Sequence, residues 1–318
     1  MSRILITGIE GFAGSHLARY LSEKGEELFG IHLAQPKEKL PGKLYQGDIR
    51  DFDWLNRVIS RTRPHSVVHL AAISSVALSE QQLLKTYEIN AVGTLKLLEA
   101  IRKSDTKTSV LLISSADVYG RTASDKPLTE QTPPRPVNPY ALSKLAAEEA
   151  GRFFHRSFNM DVVVLRPFSH TGPGQSPNFV FPSVARRIVE IERAAQKNPH
   201  LSPESRTIKL GNLDVRRDYT DVRDMVKAYA LALKRCQSNE TYNITSGQPV
   251  LIREGVEMLC RLARCDVIYK SSASRRRERD LPLLTGDSSK FSAATGWHPT
   301  IPFEVTLEDL LDYYRKLS

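Results

Sequence analysis

Arg3-Ile4-Leu5-Ile6-Thr7-Gly8-Ile9-Glu10-Gly11-Phe12-Ala13-Gly14 decides the architecture of the chain. The apolar run ending at Thr7 predicts a buried strand, and the amphipathic residues running to about Lys24 predict a helix. Between them stands G-x-x-G-x-x-G. Gly8 permits a tight turn, Gly11 lets the backbone approach a pyrophosphate, and Gly14 allows the helix to pack closely on the strand. The helix N-terminus offers unpaired N–H groups and the positive end of its dipole to the same phosphates. A strand, a glycine loop and a helix in this order point to a dinucleotide.

Working outward, strands alternate with helices. Glu27-Leu28-Phe29-Gly30-Ile31, Lys43-Leu44-Tyr45-Gln46, Ser66-Val67-Val68-His69, Val110-Leu111-Leu112-Ile113 and Val162-Val163-Val164-Leu165 read as strands. Helices are expected near Phe52, over about Gln81–Lys103 and over Tyr140–Phe158. This alternation predicts an α/β fold with a Rossmann-type doubly wound parallel sheet, whose ligands sit at the carboxyl ends of the strands. Gly8, Asp48, Ala71, Ser115 and Arg166 all fall at or just past such ends. The expected division is a dinucleotide-binding domain over 1–168 and a smaller α/β lobe over 169–318, with some segments of the latter returning to the first domain. The chain of 318 residues is ample for both.

The second strand ends at His32, with Lys37 and Lys39 nearby and no Asp or Glu of its own. An acid at that place would bind a ribose 2′-hydroxyl; its lack favours the 2′-phosphate of NADP(H), with NAD(H) as the alternative. Asp48 is a candidate partner for the adenine amine or else a helix N-cap. Ala71 and Ala72 are small enough to let the chain pass close to a cofactor. Asn90, inside a predicted helix, needs a partner and is expected to fasten neighbouring loops.

The chemistry is expected in Ser114-Ser115-Ala116-Asp117 and Tyr140-Ala141-Leu142-Ser143-Lys144. Tyr140 and Lys144 are four apart and share a helix face. A nearby ammonium favours the phenolate, so a lowered Tyr140 pKa is expected, suited to exchanging a proton with a carbonyl or carbinol oxygen. Ser115 can hydrogen-bond that oxygen from the strand side. Tyr-x-x-x-Lys alone is a weak signal; the upstream glycine loop is what strengthens it.

The formal charge is +9, and basic residues gather at Arg216-Arg217 and Arg275-Arg276-Arg277. No aromatic-interleaved basic tract or DNA-binding motif accompanies them, so an anionic small ligand is expected rather than nucleic acid. Cys236, Cys260 and Cys265 show no CxxC spacing, which predicts neither a metal nor a disulfide framework and suits a reducing cytoplasm. No leader-like segment or membrane-length apolar run is read.

Taken together, Gly8/Gly11/Gly14, Ser115, Tyr140/Lys144 and the Arg166-Pro167 turn resemble the extended short-chain dehydrogenase/reductases. The stretches Arg166-Pro167-Phe168-Ser169-His170-Thr171-Gly172-Pro173-Gly174-Gln175, Gly211-Asn212-Leu213-Asp214-Val215-Arg216-Arg217-Asp218-Tyr219 and Thr295-Gly296-Trp297-His298-Pro299 are similar to the group holding GDP-mannose 4,6-dehydratases and GDP-4-dehydro-6-deoxy-D-mannose reductases. This resemblance covers nearly the whole chain. It implies that Ser115 and Tyr140 touch a sugar 4-oxygen and that Lys144 holds the nicotinamide ribose. It also implies that Phe12, Ile49, Leu70, Asn90 and Arg166 belong with the cofactor and that Ser75, Ser169, His170 and Phe179 face the substrate. By the same resemblance Arg217 and Arg277 grip the diphosphate of a GDP-sugar and Asp280 takes a ribose hydroxyl. A homodimer through the helices 81–103 and 140–158 is implied by analogy alone.

Two departures from the family pattern stand out. Ser169 replaces the usual Asn, and Arg277-Glu278-Arg279-Asp280 replaces Arg-Pro-x-Glu. Dehydratases of this group carry a catalytic Glu where this chain has Ala116-Asp117, and Gly172-Pro173-Gly174-Gln175 resembles the reductases. Reduction of a 4-keto sugar is therefore the expected activity, to GDP-D-rhamnose or its 4-epimer. Dehydration, 4-epimerisation and non-catalytic nucleotide sensing are the alternatives; the presence of Tyr140 argues against the last.

Overall fold

The computed structural model describes residues 1–36, 38–104, 106–121, 126–198, 200–272 and 281–317. Its first half runs β1 (Arg3–Thr7), α1 (Phe12–Glu23), β2 (Glu27–His32), β3 (Lys43–Gln46), α2 (Phe52–Thr62), β4 (Ser66–His69), α3 (Val76–Gln81), α4 (Leu83–Tyr87), α5 (Gly93–Lys103), β5 (Ser109–Ile113), α6 (Pro139–Phe158) and β6 (Val162–Pro167). Then come β7 (Ser169–Thr171), α7 (Val180–Lys197), β8 (Thr207–Leu210), β9 (Arg216–Asp221), α8 (Val222–Arg235), β10 (Thr241–Ile244), β11 (Pro249–Leu251), α9 (Ile252–Arg261), β12 (Ile268–Ser271), β13 (Leu283–Leu284), α10 (Ser289–Thr295) and α11 (Phe303–Lys316).

The apolar strands pair as their pattern requires. A seven-stranded sheet has the order β10-β6-β5-β4-β1-β2-β3, and every neighbouring pair in it is parallel. Register pairs Thr7 with both Ile31 and His69, and Ile113 with Leu165. The carboxyl ends of these strands therefore lie level along one edge. Apolar side chains fill both faces, as expected of buried parallel strands. One face packs against α1 and α8, the other against α2, α5 and α6.

The later residues do not form one separate block. Strand β10, helix α8 and Phe291 of α10 return to the main sheet and its core. The lobe proper has its own apolar core among α7, α9 and α11. It carries a small sheet, β11-β9-β13, with β7 also paired to β9, and a two-stranded pair, β12 and β8. No described helix is long and apolar enough to cross a membrane.

The long helix expected over 81–103 is interrupted. It runs as α4, a π-helical turn at Glu88–Val92, and α5. The wider turn coincides with Asn90, whose carboxamide accepts from Ile73 N (2.8 Å) and donates to Ile73 O (3.0 Å) and Ser143 Oγ (2.9 Å). Asn90 thus ties the loop after β4 to α6. Such single π turns inside α-helices gather at functional sites. Asp51 caps α2 by accepting from Trp54 N (2.9 Å), whereas Asp48 pairs with Arg50 at 2.6 Å.

Candidate active site

The level strand ends open into a cleft of about 1460 Å³, lined by the glycine loop, the ends of β2, β4, β5 and β6, and the lobe. Small-ligand pockets run from about 300 to 1,000 Å³, so this one has room for two ligands side by side. The glycine loop is shaped for the first. Gly8 has φ +69°, and a Cβ there would stand 2.9 Å from Ala71 N and Cα. A Cβ on Gly14 would come within 2.3 Å of Gly8 O. Helix α1 is capped by Gly11, with no side-chain cap, so its first N–H groups face the cleft unblocked by a side chain. Phe12, Asp48, Ile49, Leu70, Ala71 and Ala72 line the same part of the cleft. These features fit a dinucleotide.

The second group of residues lies where the sheet meets α6. Asn138 accepts from Ala141 N (2.8 Å) and Pro139 opens the helix, which sets Tyr140 in the first turn. Ser115 leaves the end of β5, accepts from Asp117 N (3.1 Å), and hydrogen-bonds the Tyr140 phenol. Ser115, Asp117, Tyr140 and Lys144 all line the cleft.

The electrostatics differ from the sequence expectation. Burial, reinforced by the Asp117 charge, pushes the Tyr140 phenol up rather than down. Lys144 is not among the groups that shift it; its Nζ donates to Ile113 O at 2.7 Å. Lys144 is itself buried, and loss of hydration brings its pKa down to about 8. In the protein alone, Tyr140 is a protonated donor and Lys144 an ammonium whose charge is held weakly.

Three sequence-assigned cofactor residues sit elsewhere. Arg166 is 2% exposed and lies beneath the cleft. Its guanidinium donates to both carboxylate oxygens of Glu148 (2.9 and 2.7 Å) and stands 4.8 Å from the Tyr119 ring. Burial alone would raise the Glu148 pKa, but Arg166 and Ser114 hold it below the usual carboxylate value. Arg166 is therefore a buried ion-pair partner, not a wall of the cleft. Asn90 is committed to Ile73 and Ser143, as described. His32 is buried, its Nδ1 facing Ala34 O at 3.0 Å, and it does not line the cleft.

Ser75 lines the cleft from the segment after β4, and Ser169, His170, Phe179 and Arg217 line it from the lobe side. The His170 ring stacks on Phe12 (5.8 Å, interplanar angle 4°), joining lobe to glycine loop. Arg217 Nη1 donates to Arg216 O (2.8 Å) and Leu281 O (2.6 Å), which fixes the guanidinium at the cleft wall. Arg275, Arg276, Arg277 and Asp280 lie outside the described residues, as does Lys37.

Sequence reasoning missed Glu10, Lys209 and Tyr229, all of which line the cleft. Glu10 had a signal: a carboxylate in a loop built to receive phosphate is out of place. Lys209 reads as an ordinary exposed position of a strand. Tyr229 reads as core, and only packing shows that its buried hydroxyl has no hydrogen-bond partner among the described residues.

Comparison with known proteins agrees with this geometry. The family model described as GDP-mannose 4,6 dehydratase matches residues 5–310. A GDP-6-deoxy-D-mannose reductase of Pseudomonas aeruginosa is 33% identical over 310 residues, covering 97% of this chain and 96% of its own. A solved structure of RMD from Pseudomonas aeruginosa complexed with NADPH superposes with a TM-score of 0.86 at 32% identity, covering all of both chains. The UDP-glucose 4-epimerase of Thermus thermophilus, solved with NAD, gives a TM-score of 0.87 at 29% identity over 98% of this chain and 99% of its own.

Proposed function

The chain belongs to the extended short-chain dehydrogenase/reductases, within the GDP-mannose 4,6 dehydratase family, and from that premise we propose that it reduces the 4-keto group of a GDP-4-dehydro-6-deoxy-mannose-type sugar. The product is GDP-D-rhamnose or its 4-epimer. NADP(H) is the preferred cofactor and NAD(H) the alternative. Its relatives solved with NADPH and with NAD support this. The bound reduced nicotinamide supplies the hydride for the keto carbon.

The observation that carries this reading is that Tyr140 and Ser115 line the cleft together. Reduction of a carbonyl needs a proton as well as a hydride, and the Tyr140 phenol carries one. Ser115 steadies the oxygen as negative charge builds on it, where a fixed donor helps most. Lys144 is placed to orient the nicotinamide ribose. Arg217 is set at the lobe wall for the diphosphate, with Lys209 as a second cation lining that part of the cleft. Loss of the family's Asn at Ser169 leaves one substrate contact shorter.

One observation favours a second reading. Asp117 lines the cleft and its charge is felt by Tyr140, so a carboxylate stands near where a dehydratase needs its acid/base. Incubation with GDP-mannose and NADP⁺ separates the two. A dehydratase yields a keto sugar unaided. The reductase leaves GDP-mannose untouched and consumes NADPH only when the keto sugar is supplied. Formation of the keto sugar from GDP-mannose would overturn the reductase reading.

Helices α4, α5 and α6 expose apolar side chains on one side of the sheet. Leu83, Leu84, Tyr87 and Leu95 from the α4–α5 side and Leu142, Phe153 and Phe158 from α6 are all exposed. This supports a homodimer through that face. Sedimentation equilibrium of the intact chain is expected to give twice the monomer mass.

A further inference from the structure

The dinucleotide reading places the adenosine ribose just outside the carboxyl end of β2. In this chain a side chain from the glycine loop already stands there. Glu10 Oε1 accepts from Leu33 N at 2.8 Å and Ala34 N at 3.4 Å, the two amides that follow β2. The loop is tied to the same strand end, since Gly8 N and Ile9 N both donate to Ile31 O (2.8 and 3.2 Å). Glu10 Oε2 is buried and has no hydrogen-bond partner among the described residues, and Glu10 lines the cleft. No described cation neutralises it. Arg19 pairs with Glu38, Lys39 is exposed, and His32 turns its Nδ1 to Ala34 O.

We propose that Glu10 sets the cofactor preference of this chain. Its carboxylate takes the amide pair that a ribose 2′-phosphate would seek, and places a like charge beside that phosphate. The carboxylate of Glu10, a residue that lines the cleft, can instead accept from a ribose 2′-hydroxyl. The acid that a β2 end normally supplies arrives here from the glycine loop. It narrows the preference for NADP(H) and keeps NAD(H) in use. The inference rests on the cleft taking a nicotinamide dinucleotide, and deepens that reading.

Binding titrations of NADPH and NADH to the intact protein, without sugar, test it. Glu10→Gln keeps an oxygen for the two amides but removes the charge; Glu10→Ser frees the amides as well. Glu10→Gln should shift the NADH-to-NADPH ratio of Kd values at least about tenfold toward NADPH, mainly through tighter NADPH, because like charges brought together suppress binding. Glu10→Ser should shift it at least as far. The Glu10→Gln melting temperature should match the parent. An unchanged ratio in Glu10→Gln, or equal weakening of both cofactors with a lowered melting temperature, would overturn the proposal and leave Glu10 as a staple between loop and strand. Failure of the unaltered protein to bind either cofactor would overturn the dinucleotide reading first and this proposal with it.

Discussion

Two buried cations sit within one layer of each other and behave oppositely. Arg166 lies under the cleft floor, paired with both oxygens of Glu148 and set against Tyr119. Lys144, on the floor, donates to a backbone carbonyl, Ile113 O. Glu148, one turn further along α6, offsets only part of its burial, and its pKa falls to about 8. The difference shows how to tell a structural charge from a functional one. A cation whose acid is beside it is locked. A cation left partly uncompensated carries a cost that the fold accepts at a site of use.

The sharpest break of this comparison is on the floor. Tyr140→Phe should leave folding and cofactor binding intact and lower kcat by about 10²–10⁴, the usual worth of a placed proton donor. Single-turnover rates on the keto sugar with NADPH measure it, and near-normal reduction would mean the proton comes from elsewhere. Beneath the floor the expected loss is in stability. Glu148→Ala strands the Arg166 charge and should cost about 3–5 kcal/mol in denaturant unfolding.

Lys144→Met should do the reverse. Lys144 has a folded pKa of about 8 against 10.5 for the free side chain. Between those values the unfolded chain holds the proton more firmly, so the contribution of this lysine to stability rises with pH across that window and is least favourable below about pH 8. Removing it should therefore stabilise the protein by about 1–3 kcal/mol at pH 7, with the gain fading toward pH 10.5, while turnover falls. Thermal melts across that pH range decide it. A destabilised Lys144→Met would place Lys144 with Arg166.

Smaller still is the lobe. Arg217→Ala should raise the KM for the nucleotide sugar about tenfold and leave cofactor affinity alone, in keeping with about 1.5–3 kcal/mol for a charge-assisted hydrogen bond. Weakened cofactor binding would show that the arginine serves the other ligand. Asp117→Asn should change keto-sugar reduction by less than about tenfold, since no ring proton has to be removed; a loss near that of Tyr140→Phe would favour the dehydratase reading.

Much of this was legible in the residues. Period and composition located the strands from β1 to β6, because strands buried on both faces must be apolar throughout. Gly8 and Gly14 announced the loop, because a side chain at either would collide with backbone. Tyr140 and Lys144 were legible as one face of a helix. Less legible was the course of residues 81–103, where the hydrogen bonds from Asn90 to Ile73 and Ser143 coincide with a break that local propensity does not announce.

The sequence by itself determined which side chains reach the carboxyl edge of the sheet, because strand period and helix period are local properties of the chain. Only the tertiary structure decided the charge each one carries there. Whether Tyr140 is eased or hindered in ionising, whether Arg166 faces a ligand or Glu148, and whether the end of β2 has an acid all depend on groups distant in the chain. Glu10 shows it most plainly: β2 ends without a carboxylate of its own, and the fold brings one from more than twenty residues earlier. Electrostatic energy depends on distance and burial, and neither is set until the chain has closed on itself.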